Sequence, residues 1–336
     1  MKRARKLRAA GCLFLAAFVL GGGFAAWLWA ELRPLAKGSP ILIRYERPTE
    51  IGTVLEDLER RRVIRSAAAF RAYLWIRRVS RDVRTGTYRF APGMKVGEVL
   101  RSLGSPLRQM VRLPETNWAA RSAKILENRR VCPAGEYMAL VRSAEPFRSL
   151  VEFPLPANGS LEGYLFPDTY DLPPLLGAEG VILRQLRAFE KKVWLSLGKP
   201  DDLHRAVIVG SLVELEVARD DERPIVAGVI ENRLARNMPL QIDASVLYGM
   251  GVWKELTREE IRTSDSPFNT YRYRGLPPGP ICSPSVASVR AALNPASHRY
   301  LYYVAMPEGY HLFSETYDQH LKNIVRRKAA LRARGQ

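Results

Sequence analysis

Apolar residues recur with two different periods in the first third of the chain, beyond residue 40. Strand-like alternation and helical spacing follow one another: the strand-like segments are 41–45, 85–90 and 108–113, and the helical segments are 51–64, 66–79 and 95–103. Ser66 is the expected N-cap of the second helix. This order predicts a module over 41–113 that packs helices on one face of a small sheet. The residues leave two roles open for it, a spacer or docking unit and a glycan-binding unit.

The rest of the chain, 114–336, has a mainly helical pattern that long loops interrupt. The loops at 153–176 and 266–286 are rich in proline. Loops of this length inside a compact domain usually bind ligands or carry catalytic groups. We therefore expect an α+β fold whose second, mainly helical domain carries the chemistry.

The first 30 residues divide into a basic flank, 1–8, and an uncharged run, 9–30. The run is long enough to cross a bilayer as a helix, which takes roughly 20 apolar residues. We expect a single-pass transmembrane helix with the basic flank as a cytoplasmic tail, because flanking positive charge is retained on that side. The remaining chain then lies on the far side of the membrane. A cleavable signal peptide is the alternative, with 23–25 as a candidate cleavage site.

The charge of the chain is strongly positive. Among 336 residues, 52 lysines and arginines face 34 acidic residues, which gives a net charge of +18. This balance favours an anionic partner such as nucleic acid, acidic lipid or a wall polymer, although a solvated basic surface without a partner is an equal alternative. Export of the domain argues against nucleic acid. Three cysteines without paired spacing and four scattered histidines predict no disulfide framework, no metal site and no cofactor.

Two glutamates stand two residues apart in a helix predicted over 203–218. Two residues correspond to about 200° of rotation, so Glu214 and Glu216 cannot point into one site. Glu216 lies on the apolar face, where loss of hydration would raise its pKa and suit it to act as a general acid. The alternative is that Glu216 pairs with Arg219 or Arg233. Glu214 is expected to support the site or to contact the N-terminus of a neighbouring helix.

Several stretches taken together resemble one family, the endolytic murein transglycosylases of the MltG/YceG type. The stretches are LEGYLFPDTYDL at 161–172, SLVELEV at 211–217, ERPIVAGVIENRLARNMPLQIDASVLYGMG at 222–251, SPFNTYRYRGLPPGPICSP at 266–284, YLYYVA at 300–305 and HLFSETYDQHLKN at 311–323. The stretch GTYRFAPGMKVGEVLRSL at 86–103 is similar to the LysM-like subdomain of that family. The similarity covers nearly all of the chain beyond the N-terminal run.

The resemblance implies a membrane-anchored lyase of the bacterial inner membrane that cleaves MurNAc–GlcNAc bonds within nascent peptidoglycan strands. The products carry 1,6-anhydro-MurNAc ends, and cleavage terminates strand elongation. The family's catalytic residue falls on Glu216. The implied partners are peptidoglycan strands, membrane lipid through 9–30, and peptidoglycan synthases. Two alternatives remain: a non-enzymatic glycan-binding or division-complex scaffold, and a muramidase that uses Asp243 as nucleophile or base.

The same resemblance suggests a substrate-binding wall around Glu216. Its candidate members, carried over from the matching motifs, are Glu162, Tyr164, Gln241, Asp243, Tyr248, Asn269, Thr270 and Tyr271, with the loop 275–280 shaping the cleft. The tyrosines could stack on sugar rings. A packing or loop-fixing role is the alternative for each residue taken alone. Asp168 is expected to hold a turn.

Overall fold

The computed structural model of the protein describes residues 2–79, 82–116, 118–157 and 159–335, and the side chains of 2–14, 16 and 17 lie outside this description. The chain forms two compact units. The first runs to Gln109 and includes Pro173–Leu176, and the second comprises Met110–Leu172 and the chain from Gly177 onward.

Helix α1 spans Lys2–Glu31 and includes the segment 9–30. Across the described part of the chain, no helix combines the length and the apolar character that crossing a membrane requires. The transmembrane helix predicted at 9–30 therefore has no support from the structure. The side chains of the basic flank 1–8 lie outside the described residues.

The first unit contains a small helix-covered hairpin of strands. Its elements are β1 (Ile41–Tyr45), α2 (Ile51–Arg60), α3 (Ala67–Ile76), β2 (Gly86–Phe90) and α4 (Val96–Gly104). Strands β1 and β2 pair antiparallel, with Ile43 opposite Tyr88. Ser66 caps α3 by accepting a hydrogen bond from the Ala69 amide, as the sequence predicted. Apolar side chains of the two strands and three helices form one core.

The strand predicted to close this module belongs to the second unit. Strand β3 (Met110–Leu113) pairs antiparallel with β4 (Asp168–Asp171), and the sheet of the first unit consists of β1 and β2. Val111 and Leu113 are buried while their neighbours are exposed, so the alternation identified a strand. Alternation along one strand does not identify the strand with which it pairs. For this reason the prediction that this strand joins the sheet of the 41–113 module was wrong.

The second unit is mainly helical. Its helices are α5 (Ala119–Asn128), α6 (Ala134–Val141), α7 (Ala178–Phe189), α8 (Leu203–Glu216), α9 (Arg223–Ala235), α10 (Asp243–Met250), α11 (Arg258–Thr263), α12 (Val286–Leu293) and α13 (Tyr317–Ala333). Short 3-10 turns occupy Glu145–Leu150 and Asp220–Glu222, and a π-helical turn, Glu190–Leu195, extends α7. Strands β5 (Tyr302–Ala305) and β6 (His311–Ser314) form an antiparallel hairpin. The predicted α+β class is confirmed.

Helix α8 runs through the core of the second unit and positions the two glutamates. It packs closely on α12 because Gly210 has no side chain: an added Cβ would lie 3.2 Å from the backbone of Val289. The helix ends at Glu216, earlier than predicted, since the following Val217 has extended backbone angles. Glu216 therefore occupies the last helical position and is partly exposed, whereas Glu214 is buried.

Candidate active site

Glu214 is a structural residue on the buried side of α8. Its Oε2 accepts the amide of Ser285, the N-cap of α12, at 2.8 Å and lies 3.2 Å from Nη1 of Arg223. The side chains of Glu214 and Arg223 are 5% and 11% exposed. These contacts join α8 to the N-terminus of α12 and to Arg223, and this is the helix-contacting role expected of Glu214.

Glu216 has a different set of neighbours. Its Oε2 accepts a hydrogen bond of 2.9 Å from the hydroxyl of Tyr303 on β5. No side-chain nitrogen of a lysine, arginine or histidine in the described chain lies within 4.0 Å of its carboxyl oxygens. Arg219 instead pairs with the exposed Asp221 at 2.9 Å, and Arg233 donates to carbonyl oxygens. The alternative of an ion pair to either arginine is therefore not observed.

The surroundings of Glu216 favour its protonated form. Burial raises its pKa above the usual glutamate value, and the charge of Asp243 acts in the same direction. The Tyr303 hydrogen bond and the nearby His311 and Arg233 oppose this rise. Glu216 still retains exposed surface, so a ligand can reach it. A reachable carboxyl group with a raised pKa can deliver a proton near neutral pH.

Arg233 is a buried cation that fixes the backbone around Glu216. Its Nε donates to the carbonyl of Leu301 at 2.7 Å, just before β5. Its Nη1 donates to the carbonyl of Leu240 at 2.7 Å and to Oε1 of Gln241 at 3.3 Å. One guanidinium thus ties the strand that carries Tyr303 to the segment that leads into α10.

Asp243 and Tyr271 meet beside Glu216. The hydroxyl of Tyr271 donates to Oδ1 of Asp243 at 2.5 Å, and both residues lie close enough to Glu216 for their charges to interact with it. Gln241 has a left-handed backbone with φ of 56° and donates its amide to the carbonyl of Thr270 at 3.1 Å. Gln241 and Asp243 are exposed and Tyr271 is partly exposed, so these three predicted residues can face a ligand.

Asn269 and Thr270 lie beneath this surface. Asn269 has no exposed surface, and its Nδ2 donates to the carbonyls of Ile261 and Ser264 at 2.8 and 2.9 Å. The hydroxyl of Thr270 accepts the amide of Ile242 at 2.9 Å and so holds the start of α10. Neither side chain offers surface to a sugar, and both fix the loop that presents Tyr271.

Tyr164 and Asp168 also have structural surroundings. Tyr164 is fully buried, stacks on Phe153 at 6.0 Å between ring centroids, and its hydroxyl lies 2.8 Å from Nδ1 of His204. No surface of Tyr164 is available for stacking on a sugar. Asp168 begins β4, accepts the Thr169 amide at 2.8 Å and lies 2.5 Å from Nζ of Lys192, so its contacts are structural but lie in a strand rather than in the expected turn.

Glu162 and Tyr248 are brought together, but in contact with α5 rather than with Glu216. Both carboxyl oxygens of Glu162 lie 3.0 Å from the amide of Ala119, the first residue of α5. The Tyr248 hydroxyl also bonds to Glu162, and burial raises the pKa of Glu162 to about 7. The candidate residues thus form two groups, one at Glu216 and one at Glu162.

Three residues near Glu216 were not predicted as members of the site, namely Tyr303, His311 and Glu222. Tyr303 donates to Glu216, and its ring packs edge-on against His311 at 5.5 Å between centroids. His311 bonds to Glu222 through its backbone amide at 2.8 Å and through Nδ1 at 2.6 Å. The stretches 300–305 and 311–323 contain Tyr303 and His311, yet nothing in the local pattern places either beside Glu216.

The fold and this site define a class: an α+β protein with a partly exposed carboxyl group of raised pKa at the end of a core helix. A model of the YceG-like family matches residues 44–326, and the chain belongs to that family. The predicted family is therefore confirmed.

Known proteins are similar along most of the chain. An endolytic murein transglycosylase of Bacillus subtilis (strain 168) is 28% identical over 332 residues, which cover 90% of this chain and 89% of that protein. The endolytic murein transglycosylase of Streptococcus pneumoniae serotype 2 (strain D39) is 28% identical over 93% of this chain and 63% of its own length. A crystal structure of a yceG-like protein from Listeria monocytogenes superposes with a TM-score of 0.57 at 26% identity, covering 84% of this chain and 98% of that one.

Proposed function

We propose that the protein is an endolytic peptidoglycan transglycosylase, a lyase that cleaves MurNAc–GlcNAc bonds within glycan strands. The observation that carries the proposal is Glu216: a reachable carboxyl group with a raised pKa, bonded to a tyrosine hydroxyl rather than to a cation. The name of the Bacillus subtilis relative, an endolytic murein transglycosylase that aligns with this chain over 89% of its own length, supports the same activity.

One carboxyl group is enough for the proposed reaction. Glu216 gives its proton to the glycosidic oxygen, and the bond from that oxygen to C1 of MurNAc breaks. The resulting carboxylate takes the proton of the MurNAc 6-hydroxyl, whose oxygen forms the new bond to C1 and closes the 1,6-anhydro ring. The proton lost in the first step returns in the second, so no water is consumed, unlike hydrolysis by a pair of carboxyl groups.

The neighbours of Glu216 suit both halves of this cycle. Burial and the charge of Asp243 favour the acid before cleavage, and the Tyr303 hydroxyl stabilises the carboxylate after it. Burial raises the pKa of Tyr303 well above the usual tyrosine value, so its hydroxyl remains a donor. The carboxylate of Asp243 can also stabilise positive charge that develops at C1. Gln241 and Tyr271 supply further polar surface for the sugars.

We also propose that the protein acts at the outer face of the bacterial inner membrane, with its N-terminus in the cytoplasm. The support is the sequence: an uncharged run at 9–30 behind a basic flank at 1–8. In this proposal the LysM-like module, which lies in the first unit, positions the glycan, and the second unit cleaves it. Membrane lipid and peptidoglycan synthases are the partners that this location offers.

Product analysis tests the proposed activity. The protein is incubated with purified glycan strands, and the new ends are identified by mass spectrometry. Ends with 1,6-anhydro-MurNAc that disappear in the Glu216→Gln variant are expected. Reducing MurNAc ends that disappear in Asp243→Asn would identify a muramidase instead, and intact strands with a folded, glycan-binding protein would identify a scaffold.

A further inference from the structure

A cavity lies in the second unit, around Glu162. It has a volume of about 360 Å³, within the range of roughly 300–1,000 Å³ that is usual for small-molecule sites. Its apolar wall consists of Phe268 and the prolines Pro156, Pro278 and Pro280. Flat apolar groups of this kind suit the C–H face of a sugar ring.

The polar side of the cavity contains hydrogen-bonding groups without a neutralising cation. Glu162 is 5% exposed, and its donors are uncharged: the amides of Ala119 and Gly163 and the hydroxyl of Tyr248. His204 also lines the cavity, and burial lowers its pKa, which keeps the ring neutral at neutral pH. A buried carboxyl group in a cavity lined by neutral groups accepts hydroxyl or amide donors more readily than it accepts an anion.

The wall of the cavity is held rigidly. Gly163 follows Glu162 with φ of 86°, and a Cβ added there would lie 2.5 Å from the ring of Pro280. The amide of Ile281 donates to the hydroxyl of Ser211 on α8 at 3.1 Å. The proline loop is therefore pressed against the segment of Glu162 and tied to the core, so the cavity is formed before any ligand binds.

The cavity is separate from Glu216 but shares elements with it. Helix α8 carries His204 near its start and Glu216 at its end, twelve residues or about 18 Å away at the helical rise. The segment that contributes Phe268 to the cavity continues to Tyr271, which bonds to Asp243 beside Glu216. A single sugar cannot reach both places, whereas a chain of several sugars can.

We propose that the Glu162 cavity is a distal subsite that holds one N-acetylhexosamine ring of the glycan strand, several sugars away from the cleaved bond. The proposal rests on the proposed function for its choice of polymer. Hydroxyl or amide groups of the ring donate to Glu162 or to the hydroxyl oxygen of Tyr248, while the ring face packs on Phe268 and the prolines. Such a subsite makes the protein prefer long strands over short oligosaccharides, because short ones cannot reach the cavity from Glu216.

The first test of the distal subsite places a large side chain at the rim of the cavity. Ala157 lines the cavity and is exposed, so Ala157→Trp blocks the opening without disturbing the core. The matched control is Ala329→Trp, an exposed position on α13 outside the cavity. Both changes are made in full-length Glu216→Gln protein, and binding of long glycan strands and of a peptidoglycan tetrasaccharide is measured by titration calorimetry. Ala157→Trp should weaken long-strand binding roughly tenfold and leave tetrasaccharide binding unchanged.

A second variant keeps the cavity open and changes its chemistry. Glu162→Leu has a similar size but accepts no hydrogen bond, and thermal unfolding verifies that it is folded. The proposal expects the same selective loss of long-strand binding. Equal binding of long strands by parent, Ala157→Trp and folded Glu162→Leu would overturn it, as would equal losses for long strands and tetrasaccharide.

The activity assay separates the two proposals. If strands are cleaved to anhydro ends but Ala157→Trp cleaves long and short substrates as the parent does, the distal subsite is overturned and the proposed function stands. If no strand is cleaved but long-strand binding still depends on Ala157 and Glu162, the proposed function is overturned and the cavity remains a glycan-binding site.

Discussion

Two glutamates on opposite sides of the last turn of α8, Glu214 and Glu216, have different neighbours. Glu214 faces Arg223 and the N-terminus of α12, and its charge is matched by a cation and a backbone amide. Glu216 faces Tyr303, and burial raises its pKa. The comparison shows how two positions on one helix give the same side chain different partners: the buried glutamate is tied to a cation and a helix N-terminus, and the partly exposed one is bonded to a tyrosine hydroxyl.

Glu162 extends the comparison to a third case. Like Glu216 it is desolvated and bonded to a tyrosine hydroxyl, and burial raises its pKa to about 7. Unlike Glu216 it also accepts the backbone amide of Ala119, the first residue of α5. A raised pKa therefore does not by itself identify the acid of the reaction, and Glu216 is distinguished by its reachable position beside Asp243 and Tyr271.

The largest expected effect on stability comes from Glu214. The Glu214→Gln variant removes the buried carboxylate beside Arg223 and leaves the exposed Asp220, 2.8 Å from Nε, as its remaining acidic partner in the described chain. Breaking a buried ion pair from one side costs about 3–5 kcal/mol, so the free energy of unfolding should fall by up to that amount. Urea unfolding followed by circular dichroism measures the change.

The control for this variant is Asp221→Asn, which removes an exposed partner of Arg219. Its free energy of unfolding should change by less than about 1 kcal/mol. If Glu214→Gln were as stable as this control, the assignment of Glu214 to the core of the fold would be incorrect.

An intermediate effect is expected from the titration of Glu162. Its pKa is raised from 4.5 to about 7 on folding, so its contribution to stability is complete below about pH 4.5 and is lost as the pH rises toward 7. From about pH 5 to about pH 8 the parent should lose about 2 kcal/mol of unfolding free energy relative to Glu162→Gln, which cannot titrate. Urea titrations at several pH values measure this difference. A difference that does not vary with pH would mean that the carboxyl group titrates normally.

The smallest effect is expected from Tyr303→Phe. The hydroxyl lowers the pKa of Glu216, so its removal should move the alkaline limb of the pH–rate profile to higher pH. The rate below that limb should fall severalfold because the carboxylate formed during cleavage loses a donor. Tyr273→Phe, which changes an exposed tyrosine bonded to Asp265, is the matched control. An unchanged profile for Tyr303→Phe would remove Tyr303 from the site.

Local features of the fold were predictable from the sequence. Strand β1 and helix α3 with its Ser66 cap have short-range causes, namely alternation, helical spacing and a capping hydroxyl. The partner of β3 was not predictable, because its pairing with β4 depends on residues more than 50 positions away. Helix α8 began at the predicted residue, and only its last turn differed.

The site was predictable to a similar extent. Helical geometry separated Glu214 from Glu216, since both lie on one regular helix. Tyr303 could not be found this way, because it lies 87 residues from Glu216 and meets it through the placement of the β5–β6 hairpin. The burial of Asn269 and Thr270 could not be predicted either. The sequence of a polar stretch in a proline-rich loop is the same whether its side chains contact the ligand or support other residues that contact it.

The most direct test of the central claim is to measure formation of anhydro-MurNAc ends and the free energy of unfolding for Glu216→Gln beside the parent. We predict a loss of activity of roughly 10²- to 10⁴-fold, the usual contribution of a general acid–base group. Its stability at neutral pH should equal or exceed that of the parent, because the raised pKa means that the fold disfavours the charged carboxylate. Anhydro ends formed at a rate within about tenfold of the parent by a folded Glu216→Gln protein would contradict the account.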